Sequence, residues 1–150
     1  MEAIELLRTR RSVIARNLSD PGPSEEELAV IIESGIRTPD HGKIGPWRVQ
    51  IVTKEGQNAL GDVFSEVFQK EHGERATDAM IEFEKQRPKR APALLIVTSN
   101  ILVPHKIPEM EQKLSGGAFC MNILNAAHAL GYSAQWLTEW VAYNLSLIHI

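Results

Sequence analysis

The chain has 150 residues, 43% of them hydrophobic, with a formal net charge of −3 and a pI near 6.0; that is one domain's length by prior and enough to bury a real core. Nearly balanced charge gives no broad basic field, so nucleic acid and anionic membrane surfaces fall to the bottom of the candidate partners. A lone cysteine, Cys120, has no disulfide mate, and Met1 runs straight into Glu2 with no leader-like segment or span-length apolar run behind it; the expectation is a soluble cytoplasmic protein.

Residues 3–10 place Ala3, Ile4 and Leu7 at helical spacing and end at Arg10-Arg11-Ser12. A second helix is signalled by Pro23-Ser24 followed by Glu25, Glu26 and Glu27: an N-cap serine, a capping-box glutamate and acid in the first turn. Its apolar stripe is Leu28, Ile31 and Ile32, and Gly35 marks a place for the helix to loosen. Trp47, Val49 and Ile51 alternate with Arg48 and Gln50, the pattern of a strand over 47–52 with one buried face. Leu60, Val63, Phe64, Val67 and Phe68 form a third helical stripe, and Ala76, Ala79, Met80 and Phe83 a fourth. The basic, proline-broken run from Arg87 to Pro92 reads as a loop. Residues 93–98 are apolar on both faces, which fits a central strand covered on both sides. After a loop at 104–108, Glu109 to Leu130 forms the longest helix, stopping at Gly131-Tyr132. Helix, helix, strand, two helices, strand and long helix do not alternate strictly, so the fold class is α+β in a single domain over 1–150 rather than a doubly wound sheet.

Several chemistries lack their sequence marks. No dinucleotide-binding or P-loop glycine pattern occurs, and His41, His72, His105, His128 and His149 are scattered without zinc spacing. No nucleophile-elbow context surrounds Ser12, Ser99 or Ser115. Ser115-Gly116-Gly117-Ala118 sits mid-helix, where small side chains permit close approach of another helix or of a planar ligand. The densest run of chemistry is Arg37-Thr38-Pro39-Asp40-His41-Gly42, followed by Pro46-Trp47, between a helix and a strand where loops carry function. It suits a flat, anionic ligand. Taken singly, these residues have plainer roles: Arg10, Arg11 and Arg37 as cations at helix C-termini, Asp40 and His41 as turn residues, Trp47 and Trp136 as core or interface anchors, Cys120 as an inert thiol.

In order and spacing, Arg10-Arg11-Ser12, Arg37-Thr38-Pro39-Asp40-His41, Pro46-Trp47, the long helix from Glu111 to Gly131 and Gln135-Trp136-Leu137-Thr138 resemble the nitroreductase family of FMN-dependent enzymes. Within it, the chain is most similar to the small bacterial proteins of the YdjA type, over residues 1–144. The resemblance implies a central, mainly antiparallel sheet surrounded by helices, and a homodimer with flavin at the subunit interface. It implies that Arg10, Arg11 and Ser12 hold the ribityl-phosphate and pyrimidine edge of FMN. Arg37 and His41 would reach the flavin across the subunit boundary, with Trp136, Leu137 and Thr138 along the ring. Ala126, Ala127, His128, Ala129, Leu130 and Gly131 match where such proteins meet NADH or NADPH. The expected chemistry belongs to the flavin: hydride from NAD(P)H passes to nitroaromatic, quinone or similar electron-poor acceptors, with no catalytic side chain and no metal. Arginine suits both ends of an anionic cofactor because it keeps its charge and offers forked donors. A non-catalytic flavin-binding or flavin-modifying relative and an inactive dimerisation module remain as alternatives.

The chain departs from the family's pattern after Asn144. There the family continues through a further helix, a core strand and a tail around the partner subunit, none of which Leu145 to Ile150 resembles. The reading is a truncated or frame-shifted end, or else a short strand, and with it an exposed sheet edge and weakened dimer and FMN binding.

Overall fold

The computed structural model describes residues 2–148. Helices α1 (Ala3–Thr9) and α2 (Glu25–Ile36) precede strand β1 (Trp47–Val52); α3 (Lys54–His72) and α4 (Asp78–Gln86) follow, then β2 (Leu94–Ser99), α5 (Glu109–Ala129) and a single helical turn, α6 (Leu145–Ile148). Through α5 this is the element order expected from the sequence; α6 was not expected. Local chemistry explains the starts. Ser24 accepts from the Glu27 amide while the Glu27 carboxylate accepts from the Ser24 amide, and Thr53 and Thr77 accept from Gly56 and Met80 at the heads of α3 and α4. Each cap satisfies amides the helix leaves open.

β1 and β2 pair antiparallel, with Trp47 opposite Ser99, Val49 opposite Val97 and Ile51 opposite Leu95. One face of this ribbon meets α5: Trp47 stacks on Phe119 with ring centroids 5.0 Å apart, and Phe119 is fully buried. The half-buried Trp47 thus anchors β1 on α5. The α5 residues that face inward are Gln112, Ser115, Gly116, Phe119, Leu124 and Ala127, at the three- and four-residue spacing of one helix face. α2 packs across them. Gly35 does not loosen α2, which runs on through Ile36; it lies buried where a β-carbon would sit 2.8 Å from the Phe119 ring, so its role is to let α2 and α5 approach. Gly61 does the same between α3 and α4, where a methyl group would collide with the Lys85 carbonyl oxygen.

Two expectations change. β2 is apolar on both faces but has β1 as its one strand neighbour among the described residues, so it is not central. Asn100 donates to the Pro46 carbonyl at 2.9 Å, and the antiparallel alternation then turns the amides and carbonyls of Leu95 and Val97 away from β1. That outer edge borders a cleft of about 560 Å³ walled by Leu28 and Ile31 of α2, Ile123 and Ala127 of α5 and Ala134 and Trp136 of the segment after it. The double-sided apolarity of β2 reflects this cleft as well as the helices. Second, the end of the chain is not a strand through Ile148: Leu145–Ile148 forms one helical turn, with Leu147 buried. His149 and Ile150, part of the atypical end, lie outside the described residues.

Candidate functional site

The residues singled out from the sequence are spread along α5, with Arg37 and His41 at its N-terminal end, Trp136 beside its middle and Arg11 at its last turn. At its N-terminal end stands the turn from Arg37 to Pro46. Arg37 closes α2 and Thr38 follows, buried, with its hydroxyl oxygen lacking a partner. The Ser115 hydroxyl donates to the Pro39 carbonyl at 2.8 Å, the Asp40 carboxylate accepts from the Gly45 amide at 2.7 Å, and His41 Nδ1 meets the Glu111 carboxylate at 2.7 Å. Gly42 and Gly45 have φ of 77° and 57°, so the turn depends on glycine's freedom there. Arg37 and His41 are exposed, on a turn fixed from beneath by α5.

At the C-terminal end of α5, segments far apart in sequence meet. The Val13 amide donates to the Ala134 carbonyl at 3.2 Å and the Ala15 amide to the Gln135 side chain at 2.6 Å, laying the chain after Arg10-Arg11-Ser12 beside the chain before Trp136. Both ring nitrogens of His128 stand against carbonyl oxygens, Leu124 at 2.8 Å and Arg11 at 2.9 Å, which ties the arginine pair to the last turn of α5. The Tyr132 hydroxyl donates to Glu27 at 2.6 Å; this bond, then the Ser24 amide, holds the Glu27 carboxyl below the usual carboxylate range and raises the Tyr132 phenol. Trp136, Leu137 and Thr138 are exposed, and the Trp136 indole reaches 3.9 Å from where a β-carbon on Gly117 would be. Thus Gly117 faces Trp136 and Gly116 faces Ser99, which is what the small residues in mid-helix are for.

The structure ties Arg11 to the last turn of α5, sets Trp136 against Gly117 in the middle of the helix, and leaves Arg37 and His41 at its N-terminal end. Arg11 is held at His128 and His41 at Glu111; those helix positions are about 25 Å apart along the axis at the rise of an α-helix. Of the expected nicotinamide contacts, Ala127 is buried in the α2–α5 packing. The carbonyls of Ala126, Ala127 and His128 close the helix by accepting from Leu130, Tyr132 and Gly131, and Ala129, Leu130 and Gly131 are exposed. The large cleft includes Trp136, Leu137, Ala127 and Gly131 in its walls but none of Arg10, Arg11, Ser12, Arg37, His41 or Thr138. Cys120 also faces it, half-buried, with its thiol pushed up by burial, as an inert cysteine should be.

One orphaned atom bears on an anionic ligand. Nη1 of Arg10 is buried and has no hydrogen-bond partner among the described residues, and an unpaired buried guanidinium donor is costly unless an anion or water meets it. The sequence missed the residues that hold this neighbourhood together. Glu84, Arg87 and Trp140 carry opposite charges three residues apart and a distant indole; only the i, i+3 spacing of Glu84 and Arg87 was visible, inside what looked like a helix end and a loop. Glu84 is 5% exposed, and Arg87 Nε and Nη2 donate to its two oxygens at 2.5 and 2.7 Å while Trp140 Nε1 donates at 2.9 Å. Arg87 also pairs with Glu139. Burial alone would raise the Glu84 pKa; the hydrogen bonds from Arg87 and Trp140 and the Arg87 and Arg90 charges outweigh it and leave the carboxyl below its ordinary value.

A small antiparallel ribbon wrapped by helices, packed on one long helix, defines an α+β architecture rather than a doubly wound sheet. The chain belongs to the nitroreductase family, whose model, described as Nitroreductase family, matches residues 7–146. It is similar to YdjA of Escherichia coli strain K12, which carries the provisional name NAD(P)H nitroreductase: 34% identical over 139 residues, 91% of this chain and 72% of YdjA. Among solved structures, a nitroreductase-like family protein from Bacillus cereus superposes with a TM-score of 0.80 at 22% identity, over 99% of this chain and 76% of the other. A mutant of NfnB from Sphigopyxis sp. strain HMH, titled an FMN- and NADPH-dependent nitroreductase, gives 0.73 at 21% identity, over 99% of this chain and 80% of the other. Both structural likenesses confirm the fold expected from the sequence. Among the described residues no helix is long and apolar enough to cross a membrane, and no cluster of metal-ligating side chains occurs.

Proposed function

We propose that this protein is an FMN-dependent oxidoreductase that acts as a homodimer and uses NADH or NADPH to reduce electron-poor acceptors such as nitroaromatics or quinones. The observation that carries the reading is the buried, unpartnered Nη1 of Arg10, just ahead of the segment that Val13 and Ala15 bond to Ala134 and Gln135. Membership of the family and the FMN and NADPH named for NfnB support it.

The residues fit the cofactor. Arg10, Arg11 and Ser12 would hold the phosphate and the pyrimidine edge, because guanidinium forks match anionic oxygens. Trp136, Leu137 and Thr138 would flank the ring, and Ala126 to Gly131 would meet the nicotinamide. FMN, when bound, would supply the redox chemistry between NAD(P)H and the acceptor. Everything else is positioning. Arg37 and His41, a helix-length away from Arg11, serve a flavin only if a second copy brings them to it. Two chains packed head to tail along α5 would do that, and the helix has a surface for it: Met110, Leu114, Gly117 and Met121 fall on one face, with Met110 and Leu114 each 66% exposed. Ile4 and Leu7 of α1 are exposed as well.

The test is the absorbance spectrum and solution mass of the purified protein after addition of FMN, followed by anaerobic NADH or NADPH. A flavin-loaded dimer whose colour bleaches with nicotinamide and returns with a nitroaromatic is the expected result. Full flavin occupancy without bleaching would leave a flavin-binding relative, and no uptake a dimerisation module. Mixing Arg10→Met and His41→Ala chains sharpens the subunit claim: each dimer of unlike chains should regain one intact site and one doubly damaged one, so activity should reappear on mixing.

A further inference from the structure

We infer that Glu84 and Arg87, which bond Trp140 and Glu139 just beyond the tripeptide, are positioning residues that set the conformation of Trp136-Leu137-Thr138; the inference rests on the flavin reading above. The tripeptide is exposed and contributes little to the core, so its own packing cannot hold it. What holds it lies at its two ends. Upstream, the Ala134 carbonyl and Gln135 side chain accept from Val13 and Ala15. Downstream, Glu139 and Trp140 are fastened to α4: Glu139 pairs with Arg87, and Trp140 Nε1 donates to Glu84, which Arg87 binds through two nitrogens. Phe64 and Phe68 of α3 pack against the Trp140 ring at 6.2 and 6.0 Å between centroids, closing the anchor on its apolar side.

The backbone at the junction reports the constraint. Glu139 has φ of 48° and ψ of −168°, a region that a residue with a β-carbon enters at a cost and keeps only where its surroundings over-determine it. Glu139 directly follows Thr138, so its conformation sets the direction in which the tripeptide leaves α4. Arg87 is well placed to enforce this, with one guanidinium bridging the buried Glu84 and the strained Glu139; its side chain is 10% exposed, and a single amine could not make the same fork. A buried ion pair adds little net stability over an apolar pair of similar shape, which leaves geometric specification as the property it contributes here.

The experiment compares the unaltered chain with the double variant Glu84→Gln/Arg87→Met, which removes both charges together and so avoids an unpaired buried ion. Two readouts are taken: amide hydrogen exchange of Trp136 to Glu139 without flavin, and FMN affinity by quenching of flavin fluorescence. The inference expects exchange in that segment to accelerate and the FMN dissociation constant to rise roughly ten-fold, with the urea midpoint close to that of the unaltered chain. Arg87→Lys, which keeps charge but not the fork, should fall on the side of the double variant. Unchanged exchange, or faster exchange with unchanged FMN affinity, overturns the inference. Failure of the unaltered chain to take up FMN overturns the functional reading itself, and the positioning role for flavin with it.

Discussion

The two ends of α5 carry similar chemistry on different foundations. The turn from Arg37 to Pro46 is contiguous in sequence and rests on one helix, through Ser115 and Glu111. The region from Arg10–Ser12 at the last turn of the helix to Trp136–Thr138 beside its middle is assembled from separated segments, fastened at Glu27, Glu84, Arg87 and His128. A contiguous turn is robust to distant change and sensitive to its own residues. An assembled neighbourhood inverts that: its most consequential residues are the fasteners.

The largest effect should come from Arg87→Ala. It strands a buried carboxylate without its donors, and urea denaturation should report a loss of about 3–5 kcal/mol. A fully stable Arg87→Ala chain would make the two ends equivalent and break the contrast. The same fastener predicts a pH dependence. Glu84 is lowered in the folded state, so its contribution is present above the unfolded carboxyl value of about 4.3 and is lost as pH falls through the folded value. Acid denaturation of the Glu84→Gln chain should be less steep in that window. At the other end, Ser115→Ala removes one hydrogen bond to Pro39 and should cost about 1 kcal/mol, with hydrogen exchange rising in the turn alone. The smallest effect on stability belongs to Glu111→Gln, because the His41–Glu111 pair is 65% and 47% exposed; thermal denaturation should shift by less than about 1 kcal/mol. FMN affinity should fall nonetheless if the orientation of His41 matters.

The same contrast explains what the sequence could convey. Helix starts were legible because a cap is chemistry between neighbours: Ser24 and Glu27 are three residues apart and the geometry follows. The strands at 47–52 and 94–99 were legible from alternation and continuous apolarity, although the latter misled about how many neighbours β2 has. For the Arg37–His41 turn, residue type and position between two elements sufficed to mark it, while Trp47 turned out to belong to the Phe119 stack. What stayed hidden were contacts between residues that share no local pattern. Nothing at Glu84 announces Trp140, and nothing at Glu27 announces Tyr132. Gly35 was misread for the same reason, since its neighbour across the helix interface is Phe119.

α5 has a consequence for which mutations the chain can tolerate. Its residues from Glu111 to His128 act as a gauge block between His41 at one end and the Arg11 backbone at the other, two segments proposed above to meet flavin. One residue inserted within that span would rotate one group by about 100° against the other, and a whole extra turn would restore the rotation but offset the length. In the two-fold pair proposed above that offset would occur in both copies at once. Insertions and deletions should therefore collect in the loops and spare this helix, making its length a more telling mark of a working relative than the identity of most residues along it.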